Sequence, residues 1–267
     1  MSITKQELVA QIFDKKSFLC IGLDSDIDKI PDFLLKYKDP LFEFNKRIID
    51  KTKHLCVAYK LNIAFYESIG PKGLESFQKT IDYIPKEILK MVDAKRGDIG
   101  NTSEMYAKTY FETYNCDAVT LNPYMGADSI TPFLKYKDKW SVILAITSNE
   151  SSKDFQMVND GEYLYEKVIK KSFDWGTDEN IMFVVGATKT KNIKSIREIA
   201  PNSFFLVPGI GAQGGDLDAV VKNGRNKEIG LLVNSSRSII YAGNDSEYDL
   251  KAREAALEIQ QQMEKYF

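Results

Sequence analysis

The sequence predicts an α/β fold, a (β/α)8 TIM barrel, and three observations lead there. Short β-branched or aliphatic runs recur roughly eight times, segments with helical apolar spacing lie between them, and polar residues gather at the C-terminal ends of the runs. Parallel strands need a helix-sized crossover, so this alternation argues for a parallel sheet. Eight such units in 267 residues fit a closed barrel, for which about 250 residues is typical, better than an open doubly wound sheet.

The first run, 17–24, ends on Asp24 with Asp26 close behind, and 42–49 then repeats apolar residues near every 3.6 positions, as an amphipathic helix does. The second run, 54–62, ends on Lys60 and Asn62 and precedes a helical 74–81. The third, 87–95, ends on Asp93 and Lys95, with Asp98 in the following turn and a helical 102–114 beyond. Asn122 ends the fourth run, 118–123, and Thr147 and Ser148 end the fifth, 141–148, before a helical 163–173. The sixth, 181–188, ends on Thr188 before a helical 193–199, and the seventh, 204–210, enters a glycine loop. The eighth, 228–236, leads through Ser235 and Ser236 to Arg237 and a last helix, 248–263. Barrel enzymes place their sites at the C-terminal face, so these strand-end residues are the candidate site. The segment 148–161 reads as a long mobile loop suited to a lid. With no linker or low-complexity tract, residues 1–267 are expected to form one barrel domain.

Hydrophobic residues make up 43% of the chain, enough for a large core. The 36 basic and 38 acidic residues leave a formal charge of −2 without any basic block, which argues against a nucleic-acid polymer as partner and leaves small anions open. Cys20, Cys56 and Cys116 lie far apart in or beside apolar runs, as reduced core thiols of a cytoplasmic protein do. No metal-binding spacing is present, and His54, the one histidine, stands at the start of a strand candidate where packing explains it better than nucleophilic catalysis. No apolar run approaches a membrane span, and residues 1–7 lack the apolar core of a signal peptide. The expectation is a soluble, cytoplasmic protein that needs no metal or cofactor.

Asp93-Ala94-Lys95-Arg96-Gly97-Asp98 carries the most information. Residues two apart share one face of a strand, so Asp93 and Lys95 are expected to project together. Strand stability does not call for them, because Asp is a poor strand former and a buried ion pair seldom offsets its desolvation. A surface salt bridge at a strand end is the plainer reading of this stretch taken alone.

Pro208 to Asp216 contains Gly-x-Gly-x-x-Gly after a strand, with Glu228 at about the distance of the acid in a dinucleotide fingerprint. That fingerprint belongs in the first βα turn, whereas only the last fifth of the chain follows this one, and Glu228 opens a strand run instead of ending one. The same glycines suit the seventh loop of a barrel, whose backbone N–H groups cradle a phosphate while Arg237 adds a bidentate charge.

With these pieces placed, the chain resembles the orotidine 5′-phosphate decarboxylase family, in the branch with Lys-Arg-Gly-Asp where the commoner branch has Lys-Phe-x-Asp. The resemblance runs from about Asp24 to Arg237 through six motifs in order: Gly22-Leu23-Asp24, Lys60-Leu61-Asn62, Asp93 to Thr102, Leu144 to Ser148, Pro208 to Asp216, and Asn234 to Arg237. It implies decarboxylation of orotidine 5′-monophosphate to uridine 5′-monophosphate, the last step of de novo pyrimidine synthesis, by a cofactor-free homodimer. It further implies that Lys60, Asp93, Lys95 and Asp98 form an alternating charge tetrad in which Asp98 comes from the partner subunit and Lys95 protonates the product carbon. Asp24 and Thr102 match ribose-hydroxyl contacts, Thr102 again from the partner. Ser148 matches a pyrimidine contact, Gln213 reaches towards the phosphate, and Gly211 with Arg237 holds it. Two departures are visible: Glu150-Ser151 replaces a usual Pro-Gly after Ser148, and Arg96 stands where many relatives have an aromatic residue.

Two other readings remain at this point. A Mg²⁺-dependent sugar-phosphate decarboxylase or aldolase on a related barrel shares an Asp-x-Lys-x-x-Asp strand, and a non-catalytic nucleotide-binding module shares the phosphate loop. Ser148, Gln213 and the full Asp-x-Lys-Arg-Gly-Asp-Ile point away from the first, and binding alone leaves the charge cluster of the second unexplained.

Overall fold

The computed structural model describes residues 2–187, 190–209 and 216–267, and within these every side chain except those of Thr190 and Lys191. Eight parallel strands close into a barrel in chain order: β1 (Leu19–Gly22), β2 (Ala58–Asn62), β3 (Leu89–Arg96), β4 (Ala118–Leu121), β5 (Trp140–Ile146), β6 (Ile181–Val185), β7 (Phe204–Pro208) and β8 (Leu231–Ser235). β8 returns to pair with β1 through Leu19 opposite Val233 and Ile21 opposite Ser235. Helices between the strands are α1 (Lys5–Lys15), α2 (Pro40–Thr52), α3 (Ile63–Glu67), α4 (Pro71–Tyr83), α5 (Gly100–Lys108), α6 (Thr131–Leu134), α7 (Leu164–Ser172), α8 (Thr190–Ile199), α9 (Leu217–Gly224), α10 (Arg237–Ile240) and α11 (Tyr248–Glu264). All eight strand runs form, each close to its expected place but mostly shorter, because pairing stops where the chain turns into the loops.

Several local expectations are corrected. The segment expected as one helix over 102–114 begins at Gly100 and passes at Thr109–Thr113 into a π-helical turn. Glu228 does not open a strand: it precedes β8 by a turn in which its N–H donates to Asn226 Oδ1 at 3.0 Å. His54 sits exposed in the turn before β2. α1 is a helix that apolar periodicity alone passes over, yet its signal is local. The Thr4 hydroxyl accepts from the Glu7 N–H at 3.2 Å while the Glu7 carboxylate accepts from the Thr4 N–H at 2.8 Å, a capping box written as Thr-x-x-Glu.

α1 starts across the N-terminal end of the barrel. Trp140 at the foot of β5 donates from Nε1 to the Ile3 carbonyl at 2.9 Å, and the buried Lys5 ammonium lies 2.5 Å from Asp178, just before β6, and 3.5 Å from Glu228, just before β8. That end is thereby covered, and the C-terminal end is left for the loops.

A buried polar network braces the loop after β1. Asn45 of α2 accepts from the Ser25 hydroxyl at 2.6 Å and donates to Tyr66 and Thr80, and the Tyr66 hydroxyl donates to the Leu23 carbonyl at 3.0 Å. Every member is satisfied, so the network orders the loop instead of leaving stranded donors. Above it, the Tyr241 hydroxyl accepts from the Asp26 N–H at 2.7 Å and donates to the Asp24 carbonyl at 3.3 Å, while its ring stacks on Phe44. Asp24 is therefore held from two sides before any ligand arrives.

Candidate active site at the barrel mouth

The C-terminal end of the barrel opens into a cavity of about 570 Å³, lined among others by Asp24, Lys60, Asp93, Lys95, Ser148 and Arg237. Barrel register brings the charged residues together: Gly22 pairs with Lys60, and Asn62 pairs with Asp93, so Asp24, Lys60 and Asp93 rise side by side from β1, β2 and β3. Lys60 is 3% exposed, and its ammonium lies 3.5 Å from Asp24 Oδ1 and 3.5 Å from Asp93 Oδ2. Lys95, about half exposed, places its ammonium 2.6 Å from Asp93 Oδ1. Positive and negative groups thus alternate from Asp24 to Lys95.

Burial pushes the Asp93 carboxyl up, but Lys60, Lys95 and hydrogen bonds from Lys95 and Thr120 outweigh it and hold the group at about 2. Burial likewise disfavours the Lys60 ammonium, and Asp24 and Asp93 reverse that effect, so its pKa ends above the usual lysine range. Lys60 and Asp93 are thus each held charged by their neighbours.

Lys95 does not continue the strand as alternation predicts. Its φ is +48°, in the left-handed region, where a non-glycine residue is held at a cost of about 1–3 kcal/mol. The pairing of β3 with β4 shifts here, from Val92 opposite Val119 to Arg96 opposite Leu121. Asp93 and Lys95 still meet, through a bulge and not through a shared strand face. Arg96 leaves the cavity: it pairs with Glu67 of α3 at 2.5 Å and stacks over Tyr106 and Tyr110, so the residue that departs from the commoner pattern braces the outer face of β3. Gly97 follows because a Cβ there would lie 2.9 Å from the Asn122 carbonyl oxygen.

On the opposite wall, Ser148 follows β5. Gly186, just after β6, lets it in, since a Cβ at Gly186 would lie 2.7 Å from the Ser148 nitrogen. The loop beyond, expected as a mobile lid, carries a 3-10 turn at Glu150–Asp154, and Gln156 clasps Thr147 by accepting its N–H at 2.8 Å and donating to its hydroxyl at 3.0 Å. Arg237, after β8, is exposed, lines the cavity and makes no ion pair among the described residues. Gly211, Gln213 and Thr188 lie outside the described residues. Among the described residues, Asp98 and Thr102 do not line the cavity of their own chain: Asp98 Oδ1 accepts a local bond from the Ile99 N–H at 2.8 Å, and Thr102 is exposed on α5.

Sequence reasoning missed Thr120, Gln156 and Tyr241. Thr120 and Tyr241 line the cavity, and Thr120 bonds directly to the charged row. The one available signal for Thr120 was its place, a hydroxyl among the aliphatic residues of β4 just before the strand ends.

A closed parallel barrel with a charged, concave mouth at the C-terminal ends of its strands defines a (β/α)8-barrel enzyme class. The chain belongs to the orotidine 5′-phosphate decarboxylase / HUMPS family, whose profile matches residues 17–252. It is 56% identical to the orotidine 5′-phosphate decarboxylase of Phocaeicola vulgatus over 269 residues, covering 98% of each chain. It is also 56% identical to that of Bacteroides fragilis over 267 residues, covering 98% of this chain and 97% of the relative. Among solved structures, Leishmania donovani OMP decarboxylase superposes with a TM-score of 0.83 at 34% identity, covering 98% of this chain and 99% of that one. Leishmania donovani UMP synthase gives 0.86 at 37% identity over 98% of this chain, which spans 56% of that longer protein.

The charge row predicts a pH-dependent stability effect. Lys60→Met leaves a buried carboxylate short of its buried partner, for an expected loss of about 3–5 kcal/mol at neutral pH. In the wild type the folded Asp93 pKa, about 2, lies below the unfolded value, so its contribution is fully present above pH ~4 and is lost as pH falls towards 2. In the variant the loss of Lys60 moves the folded Asp93 pKa back up towards the unfolded value, so less stability is lost as pH falls from about 4 towards 2. Urea denaturation of both proteins across that range is expected to show a narrowing gap; a constant gap contradicts the coupling.

Proposed function

We infer that this protein decarboxylates orotidine 5′-monophosphate to uridine 5′-monophosphate and CO₂, closing de novo pyrimidine synthesis, with Lys95 as proton donor. The observation that carries the reading is the unbroken alternation of Asp24, Lys60, Asp93 and Lys95 in one cavity with Ser148 and Arg237. Its support from relatives is identity at 56% to two enzymes bearing that name.

Loss of CO₂ from C6 of the pyrimidine leaves an electron pair in an sp² orbital without an adjacent sink, so the site has to stabilise a localised anion. An ammonium aimed at C6 does this and then supplies the proton that completes the product. At about 4 Å and an effective dielectric near 20, one such contact is worth on the order of 4 kcal/mol, whereas the largest enzymatic accelerations need ~20 or more. Several contributions therefore combine. Asp93 holds the Lys95 ammonium in place before substrate binds, and its own charge beside the substrate carboxylate raises the ground state. Arg237, with Gly211 and Gln213, grips the phosphate, whose binding energy is spent far from the reacting carbon. Asp24 and Lys60 face the ribose, and Ser148 the pyrimidine.

The active unit in this reading is a homodimer of one-domain chains in the cytoplasm, with Asp98 and Thr102 completing the partner's cavity. Both lie outside their own cavity, and exposed apolar side chains stand on their segment and on the loop after β4: Ile99 is 55% and Met105 50% exposed, Tyr124 78% and Met125 47%. Exposed apolar side chains of this kind suit a twofold contact with a second copy. No described helix is long and apolar enough to cross a membrane.

Metal-stripped protein mixed with orotidine 5′-monophosphate is expected to deplete the orotate absorbance, while folded Lys95→Ala is expected to show no turnover. Turnover that requires added Mg²⁺ favours a sugar-phosphate enzyme instead, and near-normal activity of Lys95→Ala removes that residue from the proton-donor role. Mixing inactive Lys95→Ala with inactive Asp98→Ala under subunit exchange is expected to restore about a quarter of wild-type activity, because half of the dimers are hybrids with one intact site each. No recovery despite exchange, followed by mass spectrometry of tagged subunits, contradicts the shared site.

A further inference from the structure

We propose that Thr120 is a positioning residue for Lys95 and Asp93, an assignment that rests on the decarboxylase reading for its effect on turnover but not for its geometry. Between the pairs Val92–Val119 and Arg96–Leu121, three residues of β3, Asp93, Ala94 and Lys95, face one residue of β4, Thr120. Such a bulge takes backbone groups out of the ladder. The Lys95 N–H finds its acceptor in the Thr120 hydroxyl at 2.9 Å, and Thr120 Oγ1 lies 2.8 Å from Asp93 Oδ1.

The proton count fixes the direction of both bonds. A threonine hydroxyl carries one hydrogen and two lone pairs. The backbone N–H can only donate to it, and an ionised carboxylate can only accept from it. The same Asp93 Oδ1 also accepts the Lys95 ammonium at 2.6 Å. Thr120 therefore closes a ring from the Lys95 backbone through its hydroxyl to Asp93 and back to the Lys95 ammonium. It is 1% exposed, so water does not compete for these bonds.

The ring accounts for the left-handed backbone of Lys95. A non-glycine residue stays at a φ of +48° only where its surroundings over-determine it. The N–H bond to Thr120 holds the peptide, and the carboxylate oriented by Thr120 holds the far end of the side chain. As a β-branched residue Thr120 also suits a strand on packing grounds alone, and valine would serve that purpose equally. The hydroxyl is what distinguishes the two roles.

Thr120→Val, Thr120→Ser and the wild type are compared in three measurements: kcat with orotidine 5′-monophosphate, affinity for uridine 5′-monophosphate, and hydrogen exchange of the Lys95 amide in the ligand-free protein. Thr120→Val is expected to lower kcat roughly 10- to 100-fold, as loss of a hydrogen bond to a charged group does. Its product affinity is expected to stay within about threefold, since the phosphate grip is untouched, and its Lys95 amide to exchange faster. Thr120→Ser restores kcat and exchange towards the wild type. Unchanged kcat and exchange in Thr120→Val overturn the proposal, as does equal impairment of the Val and Ser variants. Thr120→Ala gives the same test if the valine variant does not fold. A wild type without turnover would defeat the decarboxylase reading alone, leaving the exchange rates to decide what holds Lys95.

Discussion

Two lysine ammoniums share one carboxylate at the mouth of this barrel, and the surrounding structure is arranged to keep them there. Asp93 lies 3.5 Å from Lys60 and 2.6 Å from Lys95. Neither lysine is interchangeable with the other. Lys60 is buried and anchors the row from within the sheet, whereas Lys95 is half exposed and faces the space where a ligand sits. A fixed charge in a partly dry site acts on a reacting group without reorganising first, which is the advantage of building it into strands and not into a flexible loop.

The cost of that arrangement is distributed over the scaffold. A carboxylate and an ammonium leave water at β2 and β3, and Lys95 takes a backbone conformation that its residue type disfavours. Opposite charges offset the first, and the bulge against β4 with its hydroxyl partner offsets the second. At the N-terminal end of the barrel the buried charge is structural. There Lys5, Asp178 and Glu228 tie α1 to the strand feet, and the chemistry-bearing residues are confined to one face.

The eight-strand alternation and the polar strand ends could be read from the sequence because both follow from period and punctuation. Asp24, Lys60, Asp93, Lys95, Ser148 and Arg237 were all found this way or through the family resemblance, and all six line one cavity. The left-handed turn at Lys95 could not be read, since strict alternation already brings Asp93 and Lys95 together and gives no reason to expect a bulge. Thr120 was hidden for a related cause: a threonine in a strand is ordinary, and only the register of β3 against β4 makes its hydroxyl singular. The Asn45 network under Asp24 joins the loop after β1 to α2, α3 and α4, a relation between distant segments that no local pattern encodes. α1 carries its signal in cap chemistry, Thr-x-x-Glu, and not in apolar spacing.

The charged row is in place before substrate arrives. A ¹³C titration of the Asp93 carboxyl in the ligand-free protein, assigned by comparison with Asp93→Asn, tests it most directly. The carboxyl is expected to remain ionised as the pH is lowered through 4 and to titrate at about 2. A midpoint at the ordinary carboxylate value near 4 or above it contradicts the account, because Asp93 would then lack the two ammoniums that define the site.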